Sequence, residues 1–157
     1  MRNNFNYYMK SIRCIIIFLT LLTCYGKVFS QVTSIPPEAK ENFARQYPDA
    51  EDVQWENDIV NVKVHFGLGN SQMNAEYSNK GIWKNTYKDW TYEQLPLAVT
   101  DGFQKSKYAE REVTDVRMIY LPGDVVQYRM KVEKNNVQKK YVFYNSAGRL
   151  VREVNTL

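Results

Sequence analysis

The stretch YSNKGIW, residues 77–83, returns sixty-seven positions later as YNSAGRL, residues 144–150. Each copy runs from a tyrosine through three polar or small residues to a glycine, and an apolar side chain follows within two residues. Between adjacent antiparallel strands the chain must reverse. Asn79-Lys80-Gly81 and Ser146-Ala147-Gly148 supply a tight turn in which glycine is free to take a positive φ. Tyr77 and Tyr144 are then the last inward residues before each turn.

The similarity extends outward from these turns. SIPPEAKENFARQY (34–47) has its counterpart in QLPLAVTDGFQKSKY (94–108), with Ile35, Pro36 and Phe43 matching Leu95, Pro96 and Phe103. VKVHF (62–66) lines up with YRMKV (128–132). Self-similarity of this period sets the architecture before any propensity is consulted. Each unit opens with a helix, because proline in the first turn sacrifices no hydrogen bond and its fixed φ suits a helix start. Ile35, Ala39, Phe43 and Tyr47 recur every four residues, as do Leu95, Val99 and Phe103, giving one apolar stripe per helix.

Period two follows. Val60, Val62, Val64 and Phe66 alternate with polar residues, as do Val126, Tyr128, Met130 and Val132, which marks half-buried strands. Shorter candidates are 53–55, 72–77 and 83–87 in the first unit, matched by 116–120, 139–144 and 150–154 in the second. The fold class expected is α+β: two tandem helix-plus-four-strand repeats forming a continuous antiparallel sheet with both helices on one face. One such unit buries little surface alone, so the two are expected to share a core under both helices.

The first thirty residues read differently. Arg2, Lys10 and Arg13 precede the apolar run CIIIFLTLLTCY (14–25), with Val28 and Ser30 ahead of Gln31, the pattern of a secretory signal peptide over 1–30. The run falls short of the roughly 20 apolar residues that a membrane span needs. Cys24 at its end leaves a lipid-anchored product as the less favoured alternative. The domains expected are thus a signal peptide (1–30), repeat 1 (31–90) and repeat 2 (91–157), with a periplasmic or secreted product and no membrane span in the mature chain.

Four of the 21 Lys and Arg lie in the leader and none of the 17 Asp and Glu do, so the mature chain is neutral. The basic pI of the whole chain is mostly a property of the leader and gives no support for nucleic-acid binding. Both cysteines, Cys14 and Cys24, leave with the leader, and packing alone must hold the remainder.

On the residues IPPEAKENFARQYPDAEDVQWE, VKVHF, AEYSNKGIWK, YEQLPLAVTDGF and KKYVFYNSAGRLV, the chain resembles the exported PepSY-like, beta-lactamase-inhibitor-like proteins of Bacteroidetes. The resemblance covers about residues 34–154. It implies a helix followed by four strands, twice, with the helices on one side of an antiparallel sheet. It also implies protein binding or inhibition through an open sheet face, and it carries over no inhibitory residue.

Chemistry is sparse. His65, the one histidine, alternates with inward Val64 and Phe66 and is expected to point off the core face as a solvated strand residue. No second histidine completes a zinc site or triad, and no Gly-x-Ser-x-Gly elbow is present. The acidic residues between Asp49 and Asp58 lack the glycine and terminal glutamate of a calcium loop, and a charged strand edge accounts for them. Gly67-x-Gly69 reads as a hairpin turn. Trp55, Trp83 and Trp90 read as core or unit-junction residues.

Alternation in the second unit displays Arg129, Lys131, Lys139, Tyr141 and Phe143 together on the face opposite the core, a composition suited to a binding surface. Residues 31–90 carry net −3 and residues 91–157 net +3. The expected function is that of an exported non-enzymatic protein engaging a protein or peptide, with no cofactor and no metal. The alternative is a carrier of a small ligand, such as a glycan or lipid fragment, held between helices and sheet or on the tryptophan-bearing strands.

Overall fold

A computed structural model describes residues 34–134 and 138–156. The expected leader, with its alternative anchor at Cys24, lies outside the described residues. Pro36 and Pro37 start α1 (Pro37–Gln46), whose apolar spacing buries Ala39 and Phe43; the Tyr47 N–H closes it on the Phe43 carbonyl at 2.8 Å. Four strands follow: β1 (Glu51–Asn57), β2 (Asn61–Leu68), β3 (Ser71–Ser78) and β4 (Trp83–Trp90). After a short turn at Tyr92–Gln94 come α2 (Leu97–Gln104), β5 (Glu112–Leu121), β6 (Val125–Lys134), β7 (Gln138–Asn145) and β8 (Leu150–Asn155).

The eight strands form one antiparallel sheet in chain order. The two halves meet at β4 and β5, where Thr86 faces Tyr120, Lys88 faces Met118 and Trp90 faces Val116. Cross-strand partners share a sheet face, so buried Thr86 and Val116 put both helices on the same side. On the free edge of β1 the pairing with β2 slips between Glu51 and Gln54, with Asp52 at φ 51°, an irregularity that blunts an edge against further strand pairing.

The two glycine turns have matching hydrogen bonds. Ser78 Oγ accepts from the N–H groups of Lys80 and Ile82, and Asn145 Oδ1 accepts from those of Ala147 and Arg149. Gly81 and Gly148 sit at φ 74° and 77°. Each turn also lies against the start of a helix. A Cβ on Gly81 would come within 2.7 Å of the Ala39 nitrogen, and one on Gly148 within 1.9 Å of the Ala98 carbonyl oxygen. The residue just before each buried phenylalanine completes the contact. Asn42 Nδ2 donates to the Gly81 carbonyl at 2.8 Å, whereas Gly102 lets the Gly148 carbonyl approach so closely that a Cβ there would lie 1.9 Å from its oxygen.

The sequence led us to expect one shared interior, and the structure corrects this. Among the described residues the buried side chains form two separate clusters. The first joins Ala39 and Phe43 to Val62, Val64, Phe66, Met73, Ala75 and Tyr77. The second joins Val99 and Phe103 to Val116, Tyr128, Met130, Val132, Val142 and Tyr144. The reason is width. Eight strands at about 4.8 Å spacing span roughly 34 Å, whereas a helix with its side chains is about 10–12 Å across. Two helices seated near the centres of their own four strands therefore do not meet. The first core is aromatic, with Phe43 meeting Phe66 edge-on at 4.9 Å and Trp55 at 5.3 Å. Trp83 packs against that core and Trp90 against the second, as expected of them.

The segment after α2 is tied to the far edge through Glu153 on β8. That carboxylate accepts from the Tyr108 hydroxyl and pairs with Lys107 at 2.9 Å and Lys140 at 3.4 Å. Chiefly through the Tyr108 hydrogen bond and then that from Lys107, its pKa is held down to about 2.

Two predictions follow from these contacts. Gly148→Ala adds left-handed strain of about 1–2 kcal/mol to overpacking of about 1–3 kcal/mol, and so destabilises by roughly 3 kcal/mol. Gly123→Ala, at φ 78° with nothing within 4 Å of the added carbon, incurs the strain alone, about 1–2 kcal/mol. Guanidinium unfolding of both variants measures the difference. Because the Glu153 pKa is depressed, its stabilisation is complete above the ordinary value of 4.5 and disappears as pH falls toward about 2. Unfolding midpoints between those pH values should fall less steeply in Glu153→Gln than in the wild type.

Candidate functional site

On the side of the sheet away from both helices, strand alternation sets polar side chains in rows. One row crosses the second half from Asp89 through Arg117, Arg129 and Phe143 to Arg152. A second runs from Asp115 through Lys131 and Tyr141 to Val154, and a third holds Glu133 and Lys139. The five residues singled out from sequence thus share this face. They contact one another too, since the Arg129 guanidinium lies 4.3 Å above the Tyr141 ring.

The structure shows how this face is paired and adds groups to it from other strands. Asp115 takes Arg129 Nη2 at 2.5 Å. Glu133 takes Lys131 at 3.1 Å, Lys139 at 3.5 Å and the Thr114 hydroxyl at 3.2 Å. The Lys131 hydrogen bond, foremost among these, holds the Glu133 carboxyl below its ordinary value. Arg117 lies 4.9 Å above Tyr87 while pairing with Asp89 at 3.3 Å. Phe143 is only 6% exposed because Arg152 covers its ring at 4.0 Å. The basic and aromatic side chains therefore form an ordered lattice in which most cations are already paired. Arg152 is exposed, lies over an aromatic ring and has no carboxylate partner among the described residues.

A depression of about 520 Å³ opens in this face, lined by Glu76, Tyr87, Ile119, Gln127, Arg129 and Arg152 among others. Glu76 lies on β3 and Arg152 on β8, five strand spacings apart, or about 24 Å on a flat sheet. The Arg152 side chain shortens that span by reaching inward from β8 over Phe143 of β7.

In the first half His65 points to the same face, where it meets the Asn74 side chain and Glu56 at 3.4 Å. Asp58 pairs with Lys63 at 3.3 Å and accepts from the Ile59 N–H, which chiefly lowers its pKa. Among the described residues no cluster of three or more His, Cys, Asp or Glu side chains is placed to hold a metal ion. Among them, too, no helix is long and apolar enough to cross a membrane.

Sequence reasoning missed Arg117, Arg152, Asp115 and Tyr87 as members of this face. Alternation along β5 places Asp115 and Arg117 on one side, but their partnership with β6 follows only from the register across the sheet. Loss of Asp115 leaves Arg129, 17% exposed in its side chain, without its carboxylate. Asp115→Ala should destabilise by about 1 kcal/mol, a value discounted for the partial exposure of the pair. Urea unfolding measures it.

No protein-family model matches the sequence, and no curated protein matches it. Solved structures do. The chain is similar to a DUF2874 family protein from Bacteroides ovatus, with 27% identity, a TM-score of 0.69, and 78% of this chain and 88% of that one covered. It is similar in fold to a BLIP-like protein from Bacteroides fragilis (21% identity, TM-score 0.68, 78% and 89% covered). A proposed periplasmic protein from Bacteroides eggerthii is similar in fold at 21% identity and TM-score 0.66, with the same coverages. These neighbours are consistent with the BLIP-like Bacteroidetes resemblance read from sequence.

Proposed function

We propose that this chain is an exported, non-enzymatic binding protein of the periplasm or cell exterior that holds a protein or peptide on its open sheet face and the adjoining loops. The observation that carries this reading is the depression between Tyr87, Arg129 and Arg152, on the side of the sheet that neither helix covers. Arginine and tyrosine are the residues on which interface energy most often concentrates. Here their side chains are stacked before any partner arrives, which lowers the ordering cost of association. The BLIP-like name of one fold neighbour is compatible with inhibition as the specific form of that binding. Units 31–90 and 91–157 are, in this reading, two copies of one module, each contributing strands to the face.

Affinity capture from the native envelope tests the proposal with three forms of the protein. Tyr87→Ala and Arg152→Glu should lose the partner retained by wild type. Leu97→Ala, at an exposed site on α2, should keep it. An unchanged partner list in both face variants overturns the assignment of this surface.

A further inference from the structure

The gap between the two cores is a cavity of about 480 Å³ on the helix side of the sheet, within the usual size range for small-molecule sites. Its wall is largely apolar, with Tyr47, Met73, Trp83, Tyr120 and Val126 among the lining residues. Two polar atoms of that wall are already committed. The Tyr47 hydroxyl and Trp83 Nε1 both donate to the buried Thr86 hydroxyl oxygen, at 2.7 and 2.9 Å. Ring surface, more than hydrogen-bonding capacity, therefore remains for an occupant.

Gln46, Ser71, Asp124 and Lys88 interrupt this apolar character, and Lys88 is the cation among them. Lys88 lines the same cavity from the central strand β4, opposite Met73 on one side and Met118 on the other. It is half-buried on the helix side of the sheet, where alternation otherwise places core residues. Its ammonium lies 4.6 Å above the Trp90 ring and has no carboxylate partner among the described residues. A cation in such surroundings gains from a desolvated anion as it would not gain from another apolar group. Asp124, the cavity's acidic residue, stands exposed on the β5–β6 turn at φ 58°. Water screens it, whereas Lys88 sits deeper.

We infer that this cavity binds a small amphiphile with one anionic head, its apolar body against Tyr47, Met73, Trp83 and Tyr120 and its acid group on Lys88. A carboxylate is the simplest such head. The sheet separates this site from the open face, with Leu121 the one residue lining both, and the site gives a specific place to the small-ligand alternative read from sequence.

Octanoate is the probe, titrated into the full chain with tryptophan fluorescence and thermal unfolding as readouts, and 1-octanol is its uncharged counterpart. Wild type should bind octanoate saturably and unfold at higher temperature with it. Lys88→Met should weaken octanoate at least about ten-fold, the loss expected for one charge-assisted hydrogen bond, and leave 1-octanol binding unchanged. Val126→Trp, which fills the gap, should abolish both, and Arg152→Glu should alter neither. Far-UV circular dichroism establishes that each variant is folded, and Lys88→Gln replaces Lys88→Met if that variant is not. No saturation of wild type up to about 5 mM octanoate overturns the inference, because such weak association lies outside specific binding. So does a folded Lys88 variant that holds octanoate as tightly as wild type, or an Arg152→Glu variant that weakens it equally.

Discussion

Each helix is held to its sheet by a point where two backbones touch with no side chain between them. At Gly148 the β7–β8 turn lies against the Ala98 carbonyl, and at Gly81 the β3–β4 turn lies against Glu38 and Ala39. Apolar stripes alone would seat a helix over its strands with freedom to slide and rotate, because hydrophobic attraction has no preferred direction. Backbone contact removes that freedom. Once the first turn of the helix is pinned to a hairpin, Phe43 or Phe103 has one place to go, and the strands beneath it acquire a defined inner face. The two halves achieve the same approach with different chemistry, an Asn42 side-chain bond in one and the bare backbone of Gly102 in the other.

Pinning each helix to its own hairpin also holds the helices apart, and the rest of the architecture follows from that separation. Continuity between the halves falls to the sheet alone. It is reinforced where Trp90 of β4 packs into the second core and Tyr120 of β5 into the first. Where no helix lies above the central strands, the inner face is incompletely covered, and a lysine at position 88 is tolerated where a fully buried one would not be.

Most of this architecture could be read from the sequence, because it is written in local signals: proline at each helix start, a four-residue apolar repeat, period-two strands, and glycine in a turn. The strand positions inferred from Val53 to Val154 fall within observed strands except Val60, which precedes β2 and stands exposed in the turn between β1 and β2. His65 pointing outward and Tyr77 and Tyr144 pointing inward follow from the same periodicity. The separation of the two cores is not legible in the sequence, because it depends on the width of a sheet relative to a helix, which no residue pattern records. The open face was half legible. Arg129, Lys131, Lys139, Tyr141 and Phe143 follow from alternation, as does Glu133 two residues beyond Lys131 on β6, but Asp115, the reach of Glu133 to Lys139, and the Arg152 that closes over Phe143 depend on a register between strands visible only in three dimensions.

That register changes how the outer face should be understood. A row of free cations would attract any polyanion, with an affinity governed by salt. Here Asp89, Asp115 and Glu133 hold Arg117, Arg129, Lys131 and Lys139 in place. The long-range field is weak in consequence, and what the face presents is shape and the fixed planes of stacked guanidinium and aromatic groups. Such a surface favours a partner that brings its own complementary geometry over one that merely brings charge. The inner gap differs, with one half-buried ammonium that lacks a carboxylate partner among the described residues in a mostly apolar wall, so the two sides of one sheet present different chemistry and share only Leu121, at the end of β5, between their linings.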